Sequence, residues 1–155
     1  MGLSEFLSPD AVLFNLHASC KREALALLAE KAAALTGAQA SAIRQALMDR
    51  EQLGSTGVGR GVAIPHGKIE GLGAIVGLFA KLDSPVDFEA VDDQPVDLVF
   101  VLLAPTDASA AHLKALAKVS RLLRDERVRE ALRGAGSPEA LFAIAADTAQ
   151  SNAAA

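Results

Sequence analysis

A layered α/β sandwich, with a central mixed β-sheet flanked by helices, is the fold class this sequence predicts. Three observations carry that expectation. Helix-period segments stand before, between and after strand-like runs rather than gathering at one end of the chain. The run Leu98-Val99-Phe100-Val101-Leu102-Leu103 is apolar without alternation, as a central strand buried on both faces must be. The 155 residues are 51% apolar and 22% charged, enough for one proper core. Residues 1–155 are therefore expected to form a single domain, with 148–155 as a flexible tail.

Taken in order, residues 1–10 are a lead-in limited by Pro9. Val12 to Leu16 reads as a first strand. Ser19 is the expected N-cap of a first helix, with Glu23 placed for a capping box. Leu25, Leu28, Ala29, Ala32 and Leu35 share one face of that helix, and Gly37 closes it. A second helix runs from about Gln39 to Leu53, with Ile43, Ala46, Leu47 and Arg50 at helical spacing. Strands follow at Gly61 to Ile64, Ala74 to Leu82 and Val96 to Leu103. Asp83 to Pro95 holds five acids and two prolines and reads as a surface connection, with room for an edge strand at Val86 to Phe88.

Pro105 ends the central strand. Thr106, Asp107 and Ser109 offer caps to a helix through Arg124, whose inner face is expected to carry Leu113, Leu116, Ala117, Ser120 and Leu123. Asp125 to Leu132 reads as a further helix stopped by Gly134 and Gly136. Ser137-Pro138-Glu139 is a helix start, with Ser as cap and Pro in the first turn. That last helix carries Leu141, Phe142 and Ile144 before the small polar residues of the tail.

Charge and cysteine usage exclude several classes. A formal net charge of −4 and a pI near 5.3 argue against nucleic acid as a partner. Cys20 is the single cysteine, so no internal disulfide forms. The longest apolar runs fall far short of the roughly 20 residues that span a bilayer. The first residues carry no basic lead-in of a secretory signal. A cytoplasmic protein with no membrane insertion is expected.

The chemistry concentrates between Asp49 and Gly67. Gly54, Gly57, Gly59 and Gly61 fall within eight residues, beside the hydroxyls of Ser55 and Thr56, and lead to Ile64-Pro65-His66. The spacing excludes a Walker A loop, because Lys68 is followed by Ile69 rather than Ser or Thr. It also excludes a dinucleotide fingerprint, because the glycines precede a strand instead of opening a helix. His17, His66 and His112 are too dispersed for a metal site, and no Gly-x-Ser-x-Gly elbow is present. No cofactor is implied.

What remains is a histidine at the end of a short strand. A neutral imidazole is a competent nucleophile toward phosphorus once its other nitrogen is held by an acceptor. Phosphoryl transfer then asks mainly for positioning and charge stabilisation. Ser55, Thr56 and the amides around Gly57, Gly59 and Gly67 are candidates for support, and Arg50 and His112 for the charged or ring donors. Each residue has a plainer reading beside this one. His66 serves equally as a structural histidine at a strand end, Arg50 as a solvated helix-end charge paired with Asp49 or Glu51, and His112 as a surface residue. His17 reads as structural and Cys20 as a half-buried cysteine. A binding-only module that holds a small anion on the glycine loop is the alternative from another class.

Arg50-Glu51 followed by Gly54-Ser55-Thr56-Gly57-Val58-Gly59-x-Gly61-Val62-Ala63-Ile64-Pro65-His66-Gly67 closely resembles the phosphohistidine signature of enzyme IIA domains. These belong to the phosphoenolpyruvate:sugar phosphotransferase system, in the mannitol/fructose branch that includes the nitrogen-regulatory enzyme IIA. The resemblance continues through Asp92-x-Gln94-Pro95-Val96-Asp97-Leu98 and through Ala104-Pro105 with His112-Leu113-x-x-Leu116. It implies that His66 is phosphorylated by a phosphocarrier similar to HPr, on either ring nitrogen. It also implies that His112 and Arg50 hold the phosphoryl group, and that the phosphorylation state governs regulatory target proteins. Since the sequence ends with the domain, a regulatory role is expected ahead of a sugar-specific enzyme IIA that passes phosphate to a IIB domain. Arg60 departs from the pattern, where relatives often carry a small polar residue.

Overall fold

Six strands form one mixed sheet, and its spine is the chain's most apolar run. The computed structural model describes residues 3–154, with side chains described through residue 146. Strand β6 (Val96–Pro105) takes β5 (Val76–Val86) antiparallel on one edge. On its other edge it takes β3 (Val62–Ala63) and β4 (His66–Ile69) in succession, both parallel. Strand β1 (Val12–Leu16) pairs parallel with β5, and β2 (Gly57–Gly59) pairs antiparallel with β3. The order is β1-β5-β6-β3-β2, with β4 beside β6. Every residue from Leu98 to Ala104 is buried, as the lack of alternation predicted.

Helices α1 (Lys21–Thr36) and α2 (Ala40–Leu53) pack as a pair. Helices α3 (Ser109–Arg124), α4 (Glu126–Gly134) and α5 (Pro138–Ala154) form a second group. The pleat of β4 places the two groups on opposite faces of the sheet. Gly67 lies against Ala46 of α2, while its neighbour His66 meets His112 of α3.

Several boundaries differ from the sequence expectation, each for a physical reason. The strand expected at Gly61 to Ile64 is two residues long, and a further strand begins at His66. Pro65 separates them because it has no N–H to give the ladder; its carbonyl still accepts from Leu102 at 3.0 Å, so pairing resumes at once. His66 therefore opens a strand instead of ending one.

Strand β5 runs on through Val86, so of the edge strand expected at Val86 to Phe88 only Val86 is in a strand, as the last residue of β5. The connection after it is not wholly a surface loop, since Phe88 and Ala90 are buried. Cys20, not Ser19, caps α1: its Sγ accepts from the Glu23 N–H, while the Glu23 carboxylate reaches back to the Ser19 N–H at 2.8 Å. Cys20 is exposed rather than half-buried. Leu35 faces outward from α1.

The inner face of α3 is rotated from the expected one. It consists of His112, Ala115, Val119, Leu122 and Leu123, while Leu113 is 68% exposed. Thr106, Asp107 and Ser109 supply no side-chain cap; the capping position falls to Ala108. The Ser137 cap of α5 is present, its Oγ accepting from the Ala140 N–H at 3.1 Å. Helix α5 runs through Ala154 and so includes residues 148–154, where a tail is expected from the sequence; Ala149, Ala153 and Ala154 are good helix formers within that stretch. Ala155 lies outside the described residues.

Candidate functional site

His66 is held by two hydrogen bonds that fix its chemistry. Its Nδ1 lies 2.8 Å from the Ile64 carbonyl, which can only accept, so Nδ1 carries the proton. The Nε2 lone pair then accepts from Arg50 Nε–H at 3.2 Å. Both contacts fit one neutral tautomer. The ring is half-buried, and that burial, aided by the Arg50 charge, lowers its pKa from the usual 6.5 despite the opposing pull of the Ile64 bond and Glu51. His66 is a neutral imidazole at pH 7, with its nucleophilic nitrogen facing a guanidinium.

Arg50 is anchored at the end of α2 by Nη1 donating to the Gly54 carbonyl at 2.8 Å. It is thus neither a free surface charge nor paired with Asp49 or Glu51 in an ion bridge. His112 enters from the first turn of α3. Its ring stands edge-on to His66, with centroids 5.7 Å apart and planes at 75°. Only 6% of His112 is exposed. Among the described residues, its Nε2 is the one fully buried side-chain nitrogen or oxygen without a hydrogen-bond partner. Burial lowers its pKa as well, with His66 and Lys68 adding to the effect. Lys68 stands at the rim, donating to Ser109 Oγ at 2.6 Å.

The three residues expected to act together are therefore together, although 62 positions separate Arg50 from His112 in sequence. The hydroxyls and amides of the loop are engaged elsewhere. Ser55 Oγ donates to the Phe88 carbonyl and accepts from the Gly57 N–H. Thr56 is buried, and both its N–H and its hydroxyl donate to the Glu51 carboxylate. Gly57 packs so closely on Ala90 that an added Cβ would come within 2.7 Å of that methyl. Gly59 lies against the Asp92 carboxylate, and Gly67 against Ala46. These residues shape the loop that delivers His66; they do not point donors at its ring.

Sequence reasoning missed the clasp behind the site. Glu51 is 8% exposed and binds Lys21 Nζ at 3.1 Å through its second oxygen. Lys21 also reaches the Glu89 carboxylate and the Phe88 carbonyl. Burial alone would lower the Lys21 ammonium, but the bonds to Glu51 and Glu89 outweigh it and the net shift is upward. The signal was present: Glu51 follows Ile43 and Leu47 at intervals of four, a lone acid on an apolar helical face. His17 bonds the Asp83 carboxylate at 3.2 Å on the surface, away from this cluster. Among the described residues, no group of three or more His, Cys, Asp or Glu side chains converges as a metal site would need. No described helix is long and apolar enough to cross a membrane.

Residues 5–147 match the family described as "Phosphoenolpyruvate-dependent sugar phosphotransferase system, EIIA 2". A nitrogen regulatory protein of Bradyrhizobium diazoefficiens is 51% identical over 146 residues, covering 94% of this chain and 95% of that one. A nitrogen regulatory protein of Escherichia coli is 40% identical, covering 94% of this chain and 90% of that one. The crystal structure of nitrogen regulatory protein IIA-Ntr from Neisseria meningitidis superposes with a TM-score of 0.87 at 32% identity, covering 92% of this chain and 97% of that one.

Proposed function

We propose that this chain, which belongs to the EIIA 2 family of the phosphoenolpyruvate-dependent sugar phosphotransferase system, carries a phosphoryl group on His66 Nε2. It accepts the group from a phosphorylated HPr-like carrier. The observation that carries the reading is the fixed tautomer: Nδ1–H on the Ile64 carbonyl leaves Nε2 as the ring's nucleophile.

In the transfer, the Nε2 lone pair forms the new N–P bond as the donor's N–P bond breaks, and that bond's electron pair returns to the donor's ring nitrogen. The positive charge that develops on the His66 ring is stabilised through Nδ1–H by the Ile64 carbonyl. Arg50 gives up its contact with Nε2 and turns its N–H groups to the phosphoryl oxygens, the role a planar guanidinium fills well. The orphaned Nε2 of His112 gains a phosphoryl oxygen as partner, which removes the cost of a buried unsatisfied group.

The phosphorylation state then governs binding to regulatory targets. Two nitrogen regulatory proteins at 51% and 40% identity over nearly the whole chain support that branch. The test is to incubate the protein with phosphoenolpyruvate, enzyme I and the HPr-like carrier. The expected product is acid-labile, base-stable phosphate on the parent chain and none on His66→Ala. Equal labelling of His66→Ala would remove the histidine from its role. Efficient onward transfer to a sugar-specific IIB domain would replace the regulatory reading by the sugar-specific one.

A further inference from the structure

A second cationic site lies on the same face of the sheet as His112, toward the other end of α3. A cavity of about 240 Å³ opens between the β2–β3 turn and the α3–α4 junction. Its lining from α3 begins eight residues beyond His112 and ends twelve beyond, roughly 12–18 Å along the helix. Three of the lining residues are Arg60, Arg124 and Arg129, and none is acidic, in a chain of net charge −4.

Arg129 is the decisive member. It is 3% exposed. Its Nη1 donates to the carbonyls of Leu123 and Arg124 at 3.0 and 2.7 Å, in the last turn of α3, where a cation is welcome. That accounts for one nitrogen of three. Among the described residues, Nε and Nη2 make no hydrogen bond. Arg129 lines the cavity together with Arg60 and Arg124. Burying a guanidinium is costly, and an anion in the cavity would offset part of that cost.

Arg60 is presented to the same space by a gripped main chain. Its φ of 60° and the 80° of Gly61 form the left-handed pair of a two-residue hairpin turn. Its N–H donates to the Asp92 carboxylate at 2.8 Å, and its carbonyl accepts from Arg133 Nη2 at 2.6 Å. Asp92, the nearby acid, accepts from the amides of Arg60 and Gln94 and also feels the Arg60 charge, so it offsets part of that charge. The Arg60 side chain itself makes no hydrogen bond among the described residues.

We propose that this cavity binds a small phosphate-bearing anion between the forks of Arg129, Arg124 and Arg60. Guanidinium groups match phosphate oxygens in pairs, and three of them suit a multiply charged anion better than a single carboxylate. The volume falls below the roughly 300–1,000 Å³ of pockets for drug-sized ligands, and so favours a group the size of pyrophosphate. A bound anion would join the hairpin that leads to His66 with the helix that carries His112.

The test is a titration of the ¹⁵N-labelled protein with inorganic pyrophosphate at constant ionic strength. The amides of Gly59 and Arg60 and the Nε–H of Arg129 are expected to move along one saturable curve. Arg60→Asn combined with Arg124→Ala changes two exposed side chains and should weaken binding about tenfold or more. Arg129→Met should abolish it; if that variant does not fold, the double variant decides alone. Shifts that stay linear without saturation, or a double variant that binds as tightly as the parent chain, would overturn the site.

Discussion

At the scale of single residues, the chemistry of the site depends on which protons sit where. Folded His66 and His112 both titrate below the ordinary imidazole value of 6.5, with burial the main cause in each. An unfolded imidazole takes up its proton as the pH drops through that value, while the folded rings remain neutral. The unfolded chain then binds more protons, so stability is flat above about 6.5 and declines as the pH falls from there through the folded values. His112→Gln should flatten part of that decline in urea midpoints measured across the range. An unchanged slope would mean that the buried ring contributes nothing to it. Arg50→Lys keeps the charge but loses the planar fork, and should slow phosphoryl transfer about tenfold without loss of fold. Transfer at the parent rate would show that the guanidinium is dispensable. The three residues themselves were legible in the sequence only through the family signature, since each alone had a plainer explanation. The tautomer was not legible, because it depends on the Ile64 carbonyl, a main-chain group that no side-chain pattern announces.

At the scale of elements, the instructive difference is the face of α3. Counting apolar residues pointed to Leu113 and Leu116, whereas the buried stripe runs through His112, Ala115, Val119 and Leu122. Alanine and histidine weigh little in an apolar count, so a stripe that turns a histidine inward is under-read. Leu122→Ala should therefore cost about 2–4 kcal/mol of folding stability. Leu113→Gln should stay within about 0.5 kcal/mol. Denaturant unfolding of the two variants distinguishes the faces, and reversed magnitudes would mean the helix is turned the other way. Pro65 explains the other element-level miss, for it splits an apparent single strand and starts a new one on the functional histidine. The clasp of Glu51 with Thr56 and Lys21 ties α1, α2 and the loop together. Glu51→Ala is expected to cost about 2–3 kcal/mol, since it strands a half-buried ammonium and two buried donors on Thr56. A thermal or urea midpoint equal to the parent's would show the clasp to be incidental.

Across the whole molecule, the central strand organises both fold and site. Its unbroken apolar run was legible, and with it the layered mixed sheet. Not legible was that β3 and β4 share one edge of β6, because that pairing is set by partners far apart in sequence. This arrangement sends His66 out of the sheet toward α3 and brings Arg50 to it from the end of α2. Together these elements are proposed to make Nε2 of His66 a phosphoryl acceptor. The most direct test is a long-range ¹H–¹⁵N spectrum of the phosphorylated chain, read for coupling to ³¹P. Phosphorus is expected on His66 Nε2, with the proton retained on Nδ1. Phosphorus on Nδ1, or on His112, would contradict that assignment.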